Sequence, residues 1–406
     1  MSRVSNRRCC RSTPWLALLF VVLATTTAGV AKQRHGSRTL RVGTSGDYAP
    51  FSVTGAAGHL SGLDIDVAGR MGRDLGREVE FVRFAWPELL ARLQDGAFDI
   101  VMSGVTMRED RAALGCYSRP YVTTGAVLLV RADDAARFDS AAALNRPHVR
   151  IVVNAGGHLE RVARERFPLA AIDAVRDNAS MPDRVLNGTA DAALSDSAEA
   201  RVWQGPALRV IGPLTHDHKA FLLPAAGADL AARVDAWMVA RENDGWLNER
   251  RRQWLGSEFS MDASLATRQA VAALIRVRLG LMPAVAAAKR AAGLPIEDPE
   301  QEARVLSRVA AAAAPDPERT LRVYRLIIEM AKAVQRTSEP PSPTVPLGAL
   351  RDAVRRIDEQ LVREIRRRPV ATTGEWSDAI EPDLLSAGID ASAIRRLASV
   401  LAALAE

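Results

Sequence analysis

From Thr39 to about Gly256, short apolar runs alternate with stretches of helical periodicity. Leu40–Gly43, Val79–Phe84, Phe98–Val105 and Ala126–Val130 read as strands, as do Val149–Val153, Ala192–Leu194 and Ala220–Leu223. Ile65–Leu75, Trp86–Leu93, Leu159–Phe167 and a long stretch Leu230–Leu247 read as helices. Two α/β lobes with a return crossing fit this order, one from about 38–128 and 221–256, the other from about 129–220. Ligands in such folds sit between the lobes, against strand ends and helix N-termini.

After Gly256 the period changes. From Leu265 to Gln335 the chain is rich in Ala, Leu, Arg and Glu at helical spacing, with almost no strand signal. Gly293-Leu294-Pro295 and Ala314-Pro315-Asp316-Pro317 interrupt it, and Pro283 kinks or restarts a helix. The Pro-rich run Glu339–Pro343 separates two further helical stretches, Leu347–Arg368 and Pro382–Leu404. The expectation is a multidomain chain: an α/β part over 38–256, a linker at 257–262 and an all-α part over 263–406.

Composition changes the picture at the N-terminus. Arg3, Arg7, Arg8 and Arg11 precede the apolar run Trp15–Ala24, and small residues follow at Gly29-Val30-Ala31. This predicts an export signal over residues 1–31, cleaved near Ala31, with an apolar core too short to span a bilayer. The expected location is periplasmic, with no membrane attachment after cleavage. Of three cysteines, Cys9 and Cys10 leave with the signal, so Cys116 alone remains and no internal disulfide forms. The net charge of +6 also shrinks to +2, because residues 1–31 hold four arginines and no acid. That balance gives no support for nucleic-acid binding.

The candidate chemistry gathers at strand ends. Ala192–Leu194 runs into Ser195-Asp196-Ser197, a helix N-cap, and Glu199 follows within the first turn. Gly46–Ser52 brings Tyr48 and Phe51 to a turn after the first strand. Ser103, Thr106 and Arg111 form a potential carboxylate clamp. Asn154-Ala155-Gly156-Gly157-His158 is a strand-to-helix turn that lets backbone approach an anion. Taken singly, each has an ordinary alternative: a core Trp86, a surface Arg111, or a Glu199 exposed on its helix and paired with Arg201. In the helical part, Arg278 and Lys289 stand eleven residues apart on one face. Such a pair is normally a solvated stripe.

Taken together, GDYAPFS at Gly46–Ser52, LDIDVA at Leu63–Ala68, AWPELL at Ala85–Leu90, VMSGVT at Val101–Thr106, NAGG at Asn154–Gly157 and SDSAEAR at Ser195–Arg201 resemble a known family. They are similar to periplasmic solute-binding proteins of the polar-amino-acid type (type II), and within these to the cyclohexadienyl dehydratases. The resemblance implies that Thr106 and Arg111 hold a ligand carboxylate and Asp196 a ligand ammonium. It also implies the conversion of prephenate to phenylpyruvate, or arogenate to phenylalanine, with loss of water and carbon dioxide. Hydroxide is a poor leaving group, so an enclosed carboxylic acid must protonate it. Glu199 is the expected acid, with Tyr48, Phe51 and Trp86 around the ring and Lys219 assisting. Ser103, Asn154, Gly157 and His158 complete the expected binding set. The family usually carries a hydroxyl residue where His158 stands.

The region from Leu265 onward resembles the exported, all-helical chorismate mutases, on Arg278, Lys289, LPIEDPEQE at Leu294–Glu302 and IIEMAKAVQ at Ile327–Gln335. The resemblance implies Arg278 and Arg351 at the substrate carboxylates, Lys289 and Gln335 at the breaking ether oxygen, and Glu302 at the ring hydroxyl. Asp298 and Gln301 border that site. Gln301 replaces a common Arg, and Ala331 a common hydroxyl residue. The implied reaction is the rearrangement of chorismate to prephenate, which moves no proton. Neither reaction calls for a metal or cofactor, and the sequence leaves room for a homo-oligomer. The competing expectation is an amino-acid-binding subunit of a transporter with a non-catalytic helical module.

Overall fold

The computed structural model describes residues 38–338 and 345–405. The expected export signal over 1–31 and the Pro-rich run Glu339–Pro343 lie outside the described residues.

The first lobe is built on a five-stranded sheet in the order Glu78–Arg83, Thr39–Thr44, Ile100–Val101, Leu222–Pro224, Gly115–Tyr117. The first three strands are parallel, and Leu222–Pro224 enters antiparallel after the chain has visited the second lobe. The second lobe repeats the plan: Ala171–Val175, Arg150–Asn154, Ala192–Asp196, Ala126–Arg131, Leu208–Ile211. Two short strands, Val122–Thr124 and Asp217–Lys219, pair antiparallel and carry the chain between the lobes. Consecutive residues show why these runs are strands covered on both faces: Ile100 and Val101, like Val152 and Val153, are all fully buried yet fall in different hydrophobic clusters.

Three expected elements differ. The expected strand Phe98–Val105 pairs only at Ile100–Val101, and its remainder turns into the cleft at Gly104, whose φ of +64° suits glycine. The long helix expected over Leu230–Leu247 is two, Ala228–Asn243 and Trp246–Trp254, parted by Gly245 at φ +78°. Pro382 does not open a helix but lies inside Thr373–Ser386, which starts on a capping box between Thr372 and Glu375.

Seven described helices of eight or more residues follow the linker: Ala263–Gly280, Met282–Ala291, Pro299–Ala313, Glu318–Thr337, Leu347–Ile365, Thr373–Ser386 and Ala391–Ala402. Pro283 stands in the first turn of the second, where its missing N–H costs no helical bond. The run Ala263–Ala291 is long and apolar enough to cross a membrane, but 78% of its most apolar window is buried inside the protein. Trp376 is the largest fully buried side chain, and its truncation to alanine costs about 3–5 kcal/mol.

The two parts share one hydrophobic core. Phe84, Leu89, Phe98 and Tyr117 of the first lobe pack in the same cluster as Leu274, Val277, Tyr324 and Ile357 of the helices. Buried Arg251 pins the linker between them, donating to both Glu242 oxygens, to the Tyr121 carbonyl and to the Met261 carbonyl.

Candidate active sites

A cleft of about 400 Å³ opens between the lobes, lined by Tyr48, Trp86, Gly104, Thr106, Arg111, Asn154, Gly157, His158, Leu159, Asn178, Glu199 and Lys219. The lobes meet closely at its rim: a Cβ on Gly156 would lie 2.5 Å from the Pro87 side chain. Arg161 and Glu109 also pair across it at 2.7 Å.

Glu199 is 1% exposed. The strand Ala192–Asp196 ends at the cleft, and the helix Ser197–Trp203 begins there, capped by Asp196. Glu199 thus sits one turn inside the helix with its carboxyl turned back to the strand end. Ser195 Oγ lies 2.7 Å from Oε2, and Asn178 Nδ2 donates to Oε1 at 2.6 Å. Burial, and then the charge of Asp196, hold this carboxyl well above the ordinary carboxylate range. It is not the exposed partner of Arg201, which pairs with Glu258 instead.

The opposite wall is cationic. Lys219 Nζ donates to Thr106 Oγ1 at 2.7 Å and to the Tyr48 hydroxyl at 3.2 Å, and pairs with Asp196 at 2.8 Å. Arg111 is 3% exposed and donates Nη1 to the Thr106 carbonyl at 3.1 Å. His158 Nε2 stands 3.1 Å from Asp217 Oδ1 but off-axis for a hydrogen bond, and neither ring nitrogen has an aligned protein partner. Burial works to raise the Asp217 pKa, but His158 and then Lys219 outweigh it and hold it well below the usual range. Tyr48 and Trp86 wall the cleft edge-to-face at 5.8 Å, with the Trp86 indole N–H on Asp47 at 3.2 Å.

Three expected members stand behind the wall rather than in it. Phe51 backs Tyr48 at a 5.1 Å ring separation, because the turn that presents Tyr48 buries Phe51 in the first lobe. Ser103 is spent on Ser45, 2.8 Å between hydroxyls. Asp196 accepts from the Ala198 N–H and the Thr124 hydroxyl besides Lys219, so its charge is met by the protein. Asn178 was not foreseen: it lies in a 3₁₀ turn, Asn178–Ser180, with no motif around it.

A second cavity of about 680 Å³ lies in the helical domain, lined by Arg278, Lys289, Asp298, Gln301, Glu302, Arg308, Lys332, Gln335 and Arg351 among apolar Met282, Val285, Val305 and Ile328. Five helices and the turn before Pro299 supply it, with Arg278 near the end of the helix Ala263–Gly280 and Lys289 near the end of the next, Met282–Ala291. Arg278 Nε is paired with Asp358 at 2.7 Å, while Nη1 is buried without a protein partner. Lys289 Nζ donates to the Ile296 carbonyl at 2.6 Å, and burial holds its ammonium below the ordinary lysine range. Gln335 Nε2 donates to the Ala331 carbonyl at 3.3 Å and weakly to Met282 Sδ at 3.5 Å, while its Oε1 is buried without a protein partner. Glu302 meets Lys332 at 3.3 Å, and Arg351 lies 3.7 Å from Asp298, the cap of the helix Pro299–Ala313. Gln301 turns its oxygen to Arg304 at 3.0 Å. Arg308 and Lys332 were not foreseen; Arg308 stands seven residues after Gln301, two turns along the same face.

The chain belongs to the bacterial extracellular solute-binding proteins, family 3, which it matches over residues 40–257. Residues 269–336 match chorismate mutase type II. The chain is 34% identical over 224 residues to the cyclohexadienyl dehydratase of Pseudomonas aeruginosa, covering 54% of this chain and 83% of that protein. It is 25% identical to the L-cystine-binding protein TcyJ of Escherichia coli K12, over 54% of this chain and 84% of that protein. Among solved structures it resembles an ancestral amino acid-binding protein described as a precursor of cyclohexadienyl dehydratase. That match has a TM-score of 0.52 at 36% identity, over 53% of this chain and 95% of the other.

Proposed function

We propose that the protein is an exported bifunctional enzyme that converts chorismate to prephenate in its helical domain and prephenate to phenylpyruvate in its interlobe cleft. The observation that carries the second step is the buried Glu199, whose carboxyl burial holds well above the ordinary carboxylate range, facing a wall of Lys219 and Arg111. A ring hydroxyl beside Glu199 takes its proton and leaves as water. The ring's bond to its carboxylate breaks in the same event, and that electron pair completes the aromatic ring as carbon dioxide departs. Solvent then reprotonates Glu199. Arg111, with the Thr106 backbone, and His158 are the donors for the carboxylate of the side chain, which survives the reaction. Tyr48 and Trp86 exclude water from the ring.

The cleft is better suited to a ligand that carries no ammonium group. Lys219 already meets the charge of Asp196 at 2.8 Å, so the carboxylate expected to hold a ligand ammonium has its countercharge from the protein. This favours prephenate over arogenate, and an enzyme over an amino-acid-binding transporter subunit.

In the helical cavity no proton moves, so the task is to hold the compact conformer and meet charge developing on the ether oxygen. Lys289 and Gln335 do the latter, and Arg278, Arg351 and Arg308 take the two carboxylates. The test is turnover by the purified protein at neutral pH, with chorismate, prephenate and arogenate offered separately. Phenylpyruvate is expected from chorismate, by way of prephenate, and from prephenate directly, with arogenate used about tenfold less well. A tight amino-acid complex without product would overturn the reading.

A further inference from the structure

The two strands that join the lobes are held from outside by the helical domain. Thr123 on one strand pairs with His218 on the other. Side chains alternate along a strand, so Asp217 and Lys219 face one way and His218 the other. Asp217 and Lys219 face the cleft, at His158, Thr106 and Tyr48. His218 points into the helices, where its Nε2 lies 2.7 Å from Asp383 Oδ2. Its Nδ1 lies 3.0 Å from Thr123 Oγ1, and that hydroxyl donates to Gln269 Oε1, also at 3.0 Å.

The chain Gln269–Thr123–His218–Asp383 therefore begins and ends in the helical domain and passes through one residue on each connecting strand. His218 and Asp383 are both fully buried. Asp383 also faces Arg276 Nε at 3.3 Å and His216 Nδ1 at 3.4 Å. His216, His218 and Asp383 place three ligand atoms within 4.8 Å of one another. Arg276 already supplies the countercharge there, and 2.7 Å from nitrogen to oxygen is a direct hydrogen bond.

We propose that Asp383, a residue of the mutase domain, is a positioning residue for the dehydratase site. Through His218 it fixes the strand Asp217–Lys219, and so holds Lys219 against Thr106 and Asp217 against His158. The inference rests on the dehydratase reading of the cleft. It gives the attached domain a role in the second reaction besides supplying its substrate. Asp383 is not among the residues lining the mutase cavity, so the two activities separate its effects.

The experiment uses the full chain carrying Asp383→Asn, Asp383→Glu or Thr123→Val, with kcat and KM measured separately on prephenate and on chorismate. Asp383→Asn is expected to lower kcat on prephenate about tenfold, the scale of a small misplacement of positioning groups. Activity on chorismate should stay within about twofold, Asp383→Glu should recover part of the loss, and Thr123→Val should lower only the prephenate activity. Equal loss of both activities, or an unchanged prephenate kcat, would overturn the proposal. Should Asp383→Asn fail to fold, Thr123→Val decides by the same criterion. Wild-type protein that makes prephenate but never consumes it would instead overturn the reading of the cleft, and the inference with it.

Discussion

Asn178 Nδ2 donates to Glu199 Oε1 at 2.6 Å and to the Asp47 carbonyl at 3.0 Å. Asn178 and Glu199 belong to the second lobe and Asp47 to the first, so the amide that orients the acid also bridges the cleft. Removing it leaves a buried carboxyl with one partner fewer and loosens the closed arrangement. Asn178→Ala should lower dehydratase kcat by about 10–100-fold, within the range of losing one positioned donor. Parallel assays on prephenate and chorismate check this, because the mutase rate should not change.

The proposed acid, Glu199, can donate only while protonated. Its carboxyl is held above the ordinary range chiefly by burial, so the proton is retained where an exposed glutamate has lost it. The dehydratase kcat should stay level across that range and fall on the alkaline side. A pH–rate profile at saturating prephenate reads this directly, and in Glu199→Gln only a trace of activity without that limb should remain.

Much of this was legible in the sequence. The strand-to-helix punctuation at Asp196 placed Glu199 at the cleft, whereas the ligand ammonium that resemblance expected on Asp196 finds that carboxylate already paired with Lys219. What escaped depended on long-range geometry. Asn178 stands in a short turn and meets Glu199 from a distance of 21 positions in the chain. Phe51 and Ser103 share motifs with cleft residues but face the core. The grip of Asp383 on His218 joins residues 165 positions apart, which no local pattern encodes. The long helix expected over Leu230–Leu247 failed at Gly245, where hydrophobic periodicity carried across a helix break.

Stability should fall as pH rises through the weakly acidic range. Burial pushes the Asp64 carboxyl up to about 7, against which the Gly104 N–H and Tyr121 hydroxyl pull only partly. A carboxyl whose pKa is raised in the folded state binds its proton more tightly there than in the unfolded chain. Its contribution is therefore fully present below the unfolded value and is lost as pH climbs toward 7. Melting temperatures from pH 4 to pH 7 should decline (the span is roughly one such titration), and Asp64→Asn should flatten the decline.

Lys289→Met removes the cation nearest the proposed ether-oxygen position. The expected loss in mutase kcat is about 10²–10³-fold, the cost of one electrostatic donor in a closed site. Dehydratase activity on added prephenate should not change.

Arg308 lines the mutase cavity on the same face as Gln301, the position at which the resemblance implies an arginine. If Arg308 supplies that missing charge, Arg308→Ala raises KM for chorismate about tenfold with little change in kcat, as loss of uniform binding does. Steady-state kinetics on chorismate check this, and Gln301→Arg should restore affinity in the Arg308→Ala background.

The central claim is that one chain performs two consecutive reactions with two separate sets of residues. The direct measurement is the product course from chorismate alone, in wild-type, Glu199→Gln and Lys289→Met proteins at neutral pH. Wild type should release phenylpyruvate, Glu199→Gln should stop at accumulating prephenate, and Lys289→Met should leave chorismate nearly untouched yet still convert added prephenate. Phenylpyruvate formed at the wild-type rate by Glu199→Gln, or no product from wild type, would contradict the account.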